Sequence, residues 1–330
     1  MFSLRFPIAL KNNLITYPPK RTTKPAPSSH YLHSINSQSH LFPSQSMIVT
    51  KCDTMAVVAN NIPKVALGDE VEGGTSLDED LTMPAELKME LMPKHVAVIM
   101  DGNRRWAEMR GLPLSEGHVA GMKSLKRMVK LCLSWEIKVL TIFMFSTDNW
   151  ARSKVEVEFL FSLVERIVNS EIEAIMRERI KISMIGDSSK LPESLQRMIT
   201  NVEESTKNHS KLQIIAAINY GGKHDVVQAC KSVTKKVQDG LLHLEDINEN
   251  IVEKELQTNC TEFPYPDLLI RTSGELRVSN FLLWQLAYTE FFFNQQLWPD
   301  FGKSEFVEAL SSFQKRQRRY GGRHSSPSIQ

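Results

Sequence analysis

The chain has 330 residues, a net charge of +2 and 42% apolar residues. That length holds one large domain or two, and the near-neutral balance excludes a surface built to coat nucleic acid. The cysteines Cys52, Cys132, Cys230 and Cys260 lack CxxC spacing, which excludes a zinc cluster or disulfide framework and leaves reduced thiols.

Residues 1–50 contain no Asp or Glu; Asp53 is the first acid. Arg5, Lys11, Lys20, Arg21 and Lys24 supply positive charge among many Ser and Thr, and Pro18, Pro19, Pro25 and Pro27 break any long helix. Basic, hydroxyl-rich and acid-poor is the composition of a plastid transit peptide. Residues 51–91 then turn acidic, from Asp69 to Glu90, with Gly73 and Gly74 between, and read as a disordered linker. The folded domain is expected at 92–322, followed by a disordered tail at 323–330. No apolar run reaches the roughly 18 residues that a membrane span needs.

The domain opens on Val96-Ala-Val-Ile-Met-Asp-Gly-Asn-Arg-Arg-Trp106. Its β-branched start reads as a buried strand. Asp101, Gly102, Asn103, Arg104 and Arg105 follow as a polar turn where ligands sit in an open α/β sheet. His118–Trp135 is helical by period, Val139–Phe145 is a second strand, and Glu156–Met176 is a long, unusually apolar helix. Ile180–Ile185 is a strand, Leu191–Asn208 an amphipathic helix, and Leu212–Ile218 a strand ending in Asn-Tyr-Gly-Gly222. Lys223–Gln238 and Asn248–Asn259 read as helices, Leu268–Arg271 and Ala287–Phe293 as strands, and Phe306–Arg319 as a closing basic helix. Strands alternating with helices imply an α/β domain with a parallel sheet of about six strands.

The loops after these strands share a character. Arg105, Arg152, Arg271 and Arg277 gather at one rim together with Gly102 and Gly221-Gly222. Guanidinium forks match phosphate oxygens as lysine cannot, so the rim points to a diphosphate-like anion. His95, His209, His224 and His243 have no ligand spacing and read as surface or capping residues. Gln314-Lys-Arg-Gln-Arg-Arg319 reads as a solvated helix face, with no nucleic acid as partner.

The segments DGNRRWAEMRG, GHVAG, FSTDNWARSKVEV, NYGGKHDVV, DLLIRTSGELRVSNFLLWQLAYTEFFF and LWPDF, in that order, resemble the cis-prenyltransferases, the undecaprenyl diphosphate synthase-like enzymes. The resemblance covers about residues 92–322. With the basic, acid-poor start, it points to the plastidial plant branch that includes neryl, nerylneryl and lavandulyl diphosphate synthases. It implies a sheet flanked by helices with a hydrophobic tunnel under the rim. It also implies that isopentenyl diphosphate condenses with an allylic diphosphate, dimethylallyl or short prenyl.

By that resemblance Asp101 and Glu290 hold Mg²⁺. Gly102, Asn103, Arg104, Arg105, Trp106 and His118 surround the allylic diphosphate, with Arg105 and Asp101 counted as catalytic. Phe145, Ser146, Asn149, Trp150, Arg152 and Glu156 form the loop that orders the substrates, and Asn149 helps in the proton step unless the diphosphate takes the proton. Arg271, Arg277 and Ser279 hold isopentenyl diphosphate. Arg319 and Gly321 match a C-terminal element that reaches the site across a homodimer.

Two positions depart from the family. Leu114 stands where bacterial members carry an Arg on the allylic diphosphate. Met144 stands where a small Ala is usual. With Phe143, Phe159 and Phe161 nearby, Met144 implies a short tunnel and a short- or medium-chain product in the Z configuration. An apolar product could draw the protein loosely to a membrane. Three alternatives stay open or are weighed: irregular coupling of two dimethylallyl diphosphates; a non-catalytic partner subunit, disfavoured because the acid-and-Arg rim is retained; and a trans-type prenyltransferase, which needs DDxxD clusters that are absent.

Overall fold

The computed structural model describes residues 81–316. Six strands form one sheet: β1 (His95–Ile99), β2 (Val139–Ser146), β3 (Ile180–Ile185), β4 (Leu212–Tyr220), β5 (Leu268–Arg271) and β6 (Glu290–Phe293). All neighbours run parallel, in the order β3-β4-β2-β1-β5-β6. The connecting helices are α1 (Asn103–Met109), α2 (Leu114–Ser134), α3 (Lys154–Arg177), α4 (Glu193–Thr206), α5 (Gly222–Gln238), α6 (Glu249–Glu255) and α7 (Lys303–Gln314).

The parallel α/β domain agrees with the sequence expectation, and each predicted strand has its counterpart. β1 is buried along its whole length, as a central parallel strand must be. Side chains alternate between the faces. Val96 and Val98 join Leu131, Trp135 and Phe306 on one side, while Ala97 and Ile99 join Tyr220, Phe281 and Leu286 on the other. β1 lies between β2 and β5, so the chain leaves it in one direction and later returns on the other side. That is the topological switch point, and the crevice beyond the carboxyl ends there is where a ligand fits.

Four expectations need correction. The stretch after Asp101 is helix α1, not only a turn. The packed domain begins before residue 92: Leu87 is 3% exposed within the core, the Trp135 indole N–H donates to Leu81 O at 3.0 Å, and Gln314 pairs with the Lys88 backbone. The last strand starts at Glu290, because Gln285–Tyr288 form turns. The transit peptide, most of the acidic linker, Arg319, Gly321 and the tail lie outside the described residues.

The fourth correction is His95, which is fully buried rather than at the surface. Its Nδ1 lies 2.7 Å from Phe263 O and its Nε2 2.7 Å from Thr141 Oγ1. The short contact to a carbonyl requires Nδ1–H, so Nε2 accepts from the threonine hydroxyl. Burial lowers its pKa from 6.5 to about 4. The folded state therefore excludes a proton that the unfolded chain takes up. Stability is full above pH 6.5 and falls as pH drops toward 4, by about 3 kcal/mol for a shift of this size. Urea unfolding at stepped pH values tests this; His95→Asn should flatten the decline between pH 6.5 and 4, and an unchanged decline would show that His95 is not its source.

One irregularity positions the site. Phe143 pairs with Ala217 and Phe145 with Ile218, which leaves Met144 as the extra residue of a β-bulge. Met144 and Phe145 consequently both pack toward α3, although simple alternation would send one to each face.

Candidate active site

The site begins where β1 ends. Thr272 clasps Asp101: its Oγ1 accepts from the Asp101 N–H at 3.0 Å and donates to the Asp101 carbonyl at 2.6 Å. The Trp298 N–H donates to the same carbonyl at 3.0 Å. Gly102 follows at φ 112°, and a Cβ there would come within 2.9 Å of Leu297 Cδ2 and 3.0 Å of Leu297 Cα. Glycine is thus required on both conformational and steric grounds. α1 starts at Asn103, which packs into α2 where Gly117 and Gly121 leave room; a Cβ on Gly121 would lie 2.3 Å from Asn103 Oδ1.

The Asp101 carboxylate turns toward β5. Arg271, 4% exposed, donates from Nη2 to Asp101 Oδ2 at 2.9 Å. Its Nη1 donates to Ser279 Oγ at 2.7 Å and to the Arg277 carbonyl. Asp101 Oδ1 lies 3.7 Å from Arg105 Nη2, beyond hydrogen-bond reach. Arg105 itself donates to Ser273, to Oγ at 2.6 Å and to the carbonyl at 3.3 Å.

Beyond Asp101 a cavity of ≈ 350 Å³ opens. Its mouth is polar: Asp101, Asn103, His118, Ser146, Asn149, Arg152, Arg271 and Ser279 border it. Its body is apolar, walled by Met122 of α2, Met144 and Phe145 of β2, and Leu160, Phe161, Leu163 and Val164 of α3. α3 does line the cavity, which agrees with the tunnel that the family resemblance implied, whereas its apolar sequence alone reads as a plain core helix. The side chains that line it were not resolvable from composition, since a plain core helix has the same pattern.

His118 is held neutral. Burial foremost, and the Arg152 charge second, lower its pKa to about 4. The 4.0 Å approach of its Nε2 to Glu156 is therefore no ion pair near neutral pH; Glu156 is engaged by Arg152 at 3.0 Å. Asn149 closes a capping box with Ser146: its Oδ1 accepts from the Ser146 N–H at 2.9 Å, and the Asp148 N–H donates to Ser146 Oγ.

Among the described residues, four buried side-chain polar atoms have no hydrogen-bond partner: Asn103 Oδ1, His118 Nε2, Arg271 Nε and Gln285 Oε1. The first three belong to residues that line this one cavity. Buried polar groups are ordinarily paired, so three unpaired ones on residues that line one cavity set it apart from the rest of the described core.

The prenyltransferase family model for undecaprenyl diphosphate synthases matches residues 99–321. The chain belongs to this cis-prenyltransferase family. It is 62% identical over 251 residues to dehydrodolichyl diphosphate synthase 2 of Arabidopsis thaliana, covering 76% of this chain and 81% of that one. It is 52% identical over 233 residues to the chloroplastic (2Z,6Z)-farnesyl diphosphate synthase CPT6 of Solanum lycopersicum, covering 71% and 80%. Among solved structures, lavandulyl diphosphate synthase from Lavandula x intermedia, in complex with dimethylallyl diphosphate, superposes with a TM-score of 0.69 at 43% identity over 70% of this chain and 99% of that one.

Not every residue singled out from the family motifs reaches the cavity of this cis-prenyltransferase. Arg104 points outward and pairs with Glu108, one turn on. Trp106 is tied to the other side of α1: its indole N–H donates to Asp300 at 2.6 Å, and Arg110 lies over its ring at 4.2 Å. Trp150 anchors its loop, with its indole N–H on Asn219 at 2.8 Å and its ring against Phe145 and Phe161. Phe143 borders the cavity, but its ring stacks on Phe281 at 4.3 Å. Phe159 contacts His118 and Arg166 instead of the cavity. Arg277 reaches Arg271 through its backbone carbonyl while its side chain pairs with Glu275.

Glu290 is the largest departure. It stands opposite Leu268, which stands opposite Val96. It is thus at the amino end of the strands, and Asp101 lies five residues further along. At about 3.3 Å per residue and about 4.8 Å per strand, the two carboxylates of one chain are well over 10 Å apart. They cannot share an ion, and Glu290 is paired with Arg316 at 2.6 Å. The contributions of Thr272, Ser273 and Asn219 were missed because each acts through tertiary contact.

Proposed function

We propose that this chain is a cis-prenyl diphosphate synthase, a transferase that condenses isopentenyl diphosphate with dimethylallyl or a short prenyl diphosphate. The observation that carries the reading is the cavity itself. Two unpartnered nitrogens, Arg271 Nε and His118 Nε2, belong to residues at its mouth and an apolar channel lies behind them, which suits a diphosphate head with an isoprenoid tail. The family membership and the chloroplastic relative agree, and the plastid is its compartment.

Asn103, Arg105 and the neutral His118 take the allylic diphosphate, His118 as a hydrogen-bonding imidazole. Arg271 and Ser279 take the homoallylic diphosphate. As the allylic C–O bond breaks, negative charge collects on the departing diphosphate, and the preorganised guanidinium groups stabilise it. The homoallylic double bond forms the new C–C bond with the allylic carbon. A proton then leaves from the adjacent carbon, completing the new double bond. Because Asn149 Oδ1 is already engaged with the Ser146 N–H, we assign that proton to the departing diphosphate and give Asn149 a positioning role.

Of the two carboxylates that the resemblance assigns to Mg²⁺, Asp101 fits the ion at this mouth and Glu290 does not. Asp101 is one-third exposed at the mouth, its Oδ1 is not hydrogen-bonded to Arg105, and Mg²⁺ is satisfied by one carboxylate with phosphate oxygens and water. When bound, the ion would neutralise charge on the diphosphates. We further propose a homodimer, in which Arg319 and Gly321 could complete a neighbouring site, a transit peptide at 1–50, and loose membrane association through the apolar product alone. Among the described residues no helix is long and apolar enough to cross a membrane.

Met144 lines the channel where the family usually carries a small Ala, and we propose that it limits the product to short or medium length. Incubation of the purified chain with Mg²⁺, dimethylallyl diphosphate and radiolabelled isopentenyl diphosphate should give short Z-prenyl diphosphates. Met144→Ala should lengthen them by about one isoprene unit, comparable to one helical turn of wall, about 5.4 Å. A ladder of very long products from the native chain would overturn the length assignment, and no product at all would favour a non-catalytic partner subunit. The likeness to a lavandulyl diphosphate synthase structure supports a second reading, irregular coupling. Dimethylallyl diphosphate supplied alone yields product only in that case.

A further inference from the structure

Ser279 (φ 46°), Asn280 (φ 62°) and Leu282 (φ 44°) all carry left-handed backbone. That region is sterically poor for side chains, least so for Asn, and such strain persists only where surrounding contacts hold it. Phe281 provides one anchor: it is fully buried, stacked on Phe143 and edge-on to Tyr220.

Asn280 provides the other. Its carbonyl accepts from the Gly222 N–H at 2.6 Å and its Oδ1 from the Lys223 N–H at 2.9 Å. These are opening N–H groups of α5, which lack partners inside the helix, and α5 has no side-chain cap of its own. Gly221 is shaped around this contact. A Cβ there would lie 2.7 Å from Asn280 Nδ2 and 2.8 Å from Thr147 Oγ1. Three loops that follow β2, β4 and β5 therefore meet at one amide. The residue before it, Ser279, accepts from Arg271 at 2.7 Å, and Arg271 in turn holds Asp101.

We propose that Asn280 is a positioning residue for the homoallylic half-site: by capping α5 from a separate loop it holds Ser279, and through Ser279 it aims Arg271. This rests on the synthase reading above. Asn280 touches no reacting atom, so its loss acts on one substrate. Asn103 and His118 of the allylic grip stand on α1 and α2, and Arg105 is held at Ser273, seven residues before Asn280, so the allylic side should feel the change less.

The test is steady-state kinetics of the full chain with each substrate varied in turn, with thermal melts to verify folding. Asn280→Ala should raise KM for isopentenyl diphosphate about tenfold while KM for dimethylallyl diphosphate stays within about twofold. Asn280→Gly relieves the backbone strain but removes the side-chain acceptor, and should give an intermediate rise of about threefold. Asn280→Asp keeps the acceptor, tolerates the left-handed region and places its charge against a helix N-terminus, so it should restore most of the native KM. Equal rises in both KM values, or a folded Asn280→Asp variant that fails to rescue, would overturn the proposal. If Asn280→Ala does not fold, the Asn280→Gly and Asn280→Asp variants carry the comparison. A native chain inactive with isopentenyl diphosphate sinks the synthase reading, whereas an active native chain with an indifferent Asn280→Ala sinks only this one.

Discussion

Replacing Asp101 by Asn is expected to lower kcat by about a thousandfold, the scale of losing a preorganised electrostatic group at a site of developing charge. The substitution keeps shape and volume. It removes the negative charge that faces Arg271 at 2.9 Å and the oxygen available to Mg²⁺. Part of the cost falls on the fold, because Arg271 is buried and loses its counter-charge. Asp101 is partly solvated, so that share is small, about 1 kcal/mol, or about 2–4 °C in Tm for a domain of this size. Kinetics over a range of Mg²⁺ concentrations, paired with a thermal melt, separates the two. Activity within tenfold of the native chain at any Mg²⁺ concentration would remove Asp101 from the centre of the mechanism.

Arg271→Lys is the second large effect. Arg271 serves Asp101, Ser279 and the Arg277 carbonyl from one planar group, and its Nε still lacks a partner. A lysine ammonium is a single centre on a flexible stem and cannot span those directions. We expect kcat/KM for isopentenyl diphosphate to fall about a hundredfold or more, with a stability loss of about 2 kcal/mol from the acceptors left unsatisfied. Urea unfolding gives the stability share. A folded Arg271→Lys variant with near-native KM would show that the homoallylic diphosphate is held elsewhere.

The two experiments probe one ion pair from its two sides, so their effects should not add. The double variant, Asp101→Asn with Arg271→Lys, should be little worse than the more damaging single change. That comparison distinguishes a coupled charge pair from two independent ligands.

Much of the fold was readable before any coordinates. β3 and β5 begin and end where the residue pattern places them, because their apolar runs are bounded by polar or glycine-bearing turns. α1 was missed because Gly102-Asn-Arg-Arg looks like a loop. Its helix is secured by Gly117 and Gly121 receiving Asn103 and by Trp106 on Asp300, contacts that are distant in sequence. That the packed domain already includes Leu87 escaped for the same reason: a few apolar residues in an acidic stretch acquire meaning only when Leu87 joins Met128 and Trp135 in one core.

The amino-acid sequence by itself determined the six strands and most of the helices, the parallel α/β architecture, the family, and the acid-and-arginine rim. These depend on local periodicity and on motifs a few residues long. Only the tertiary structure decided which members of those motifs converge. It put Asp101 with Arg271 and separated both from Glu290. It turned Arg104 and Trp106 away, and engaged the Asn149 oxygen within its own loop. It put Met144 at a β-bulge in the channel wall. The physical reason is that strand order and register, α1 packing and the β2 bulge are set by burial between segments far apart in the chain. A side chain's direction at the end of a strand follows from those choices and not from its neighbours in sequence.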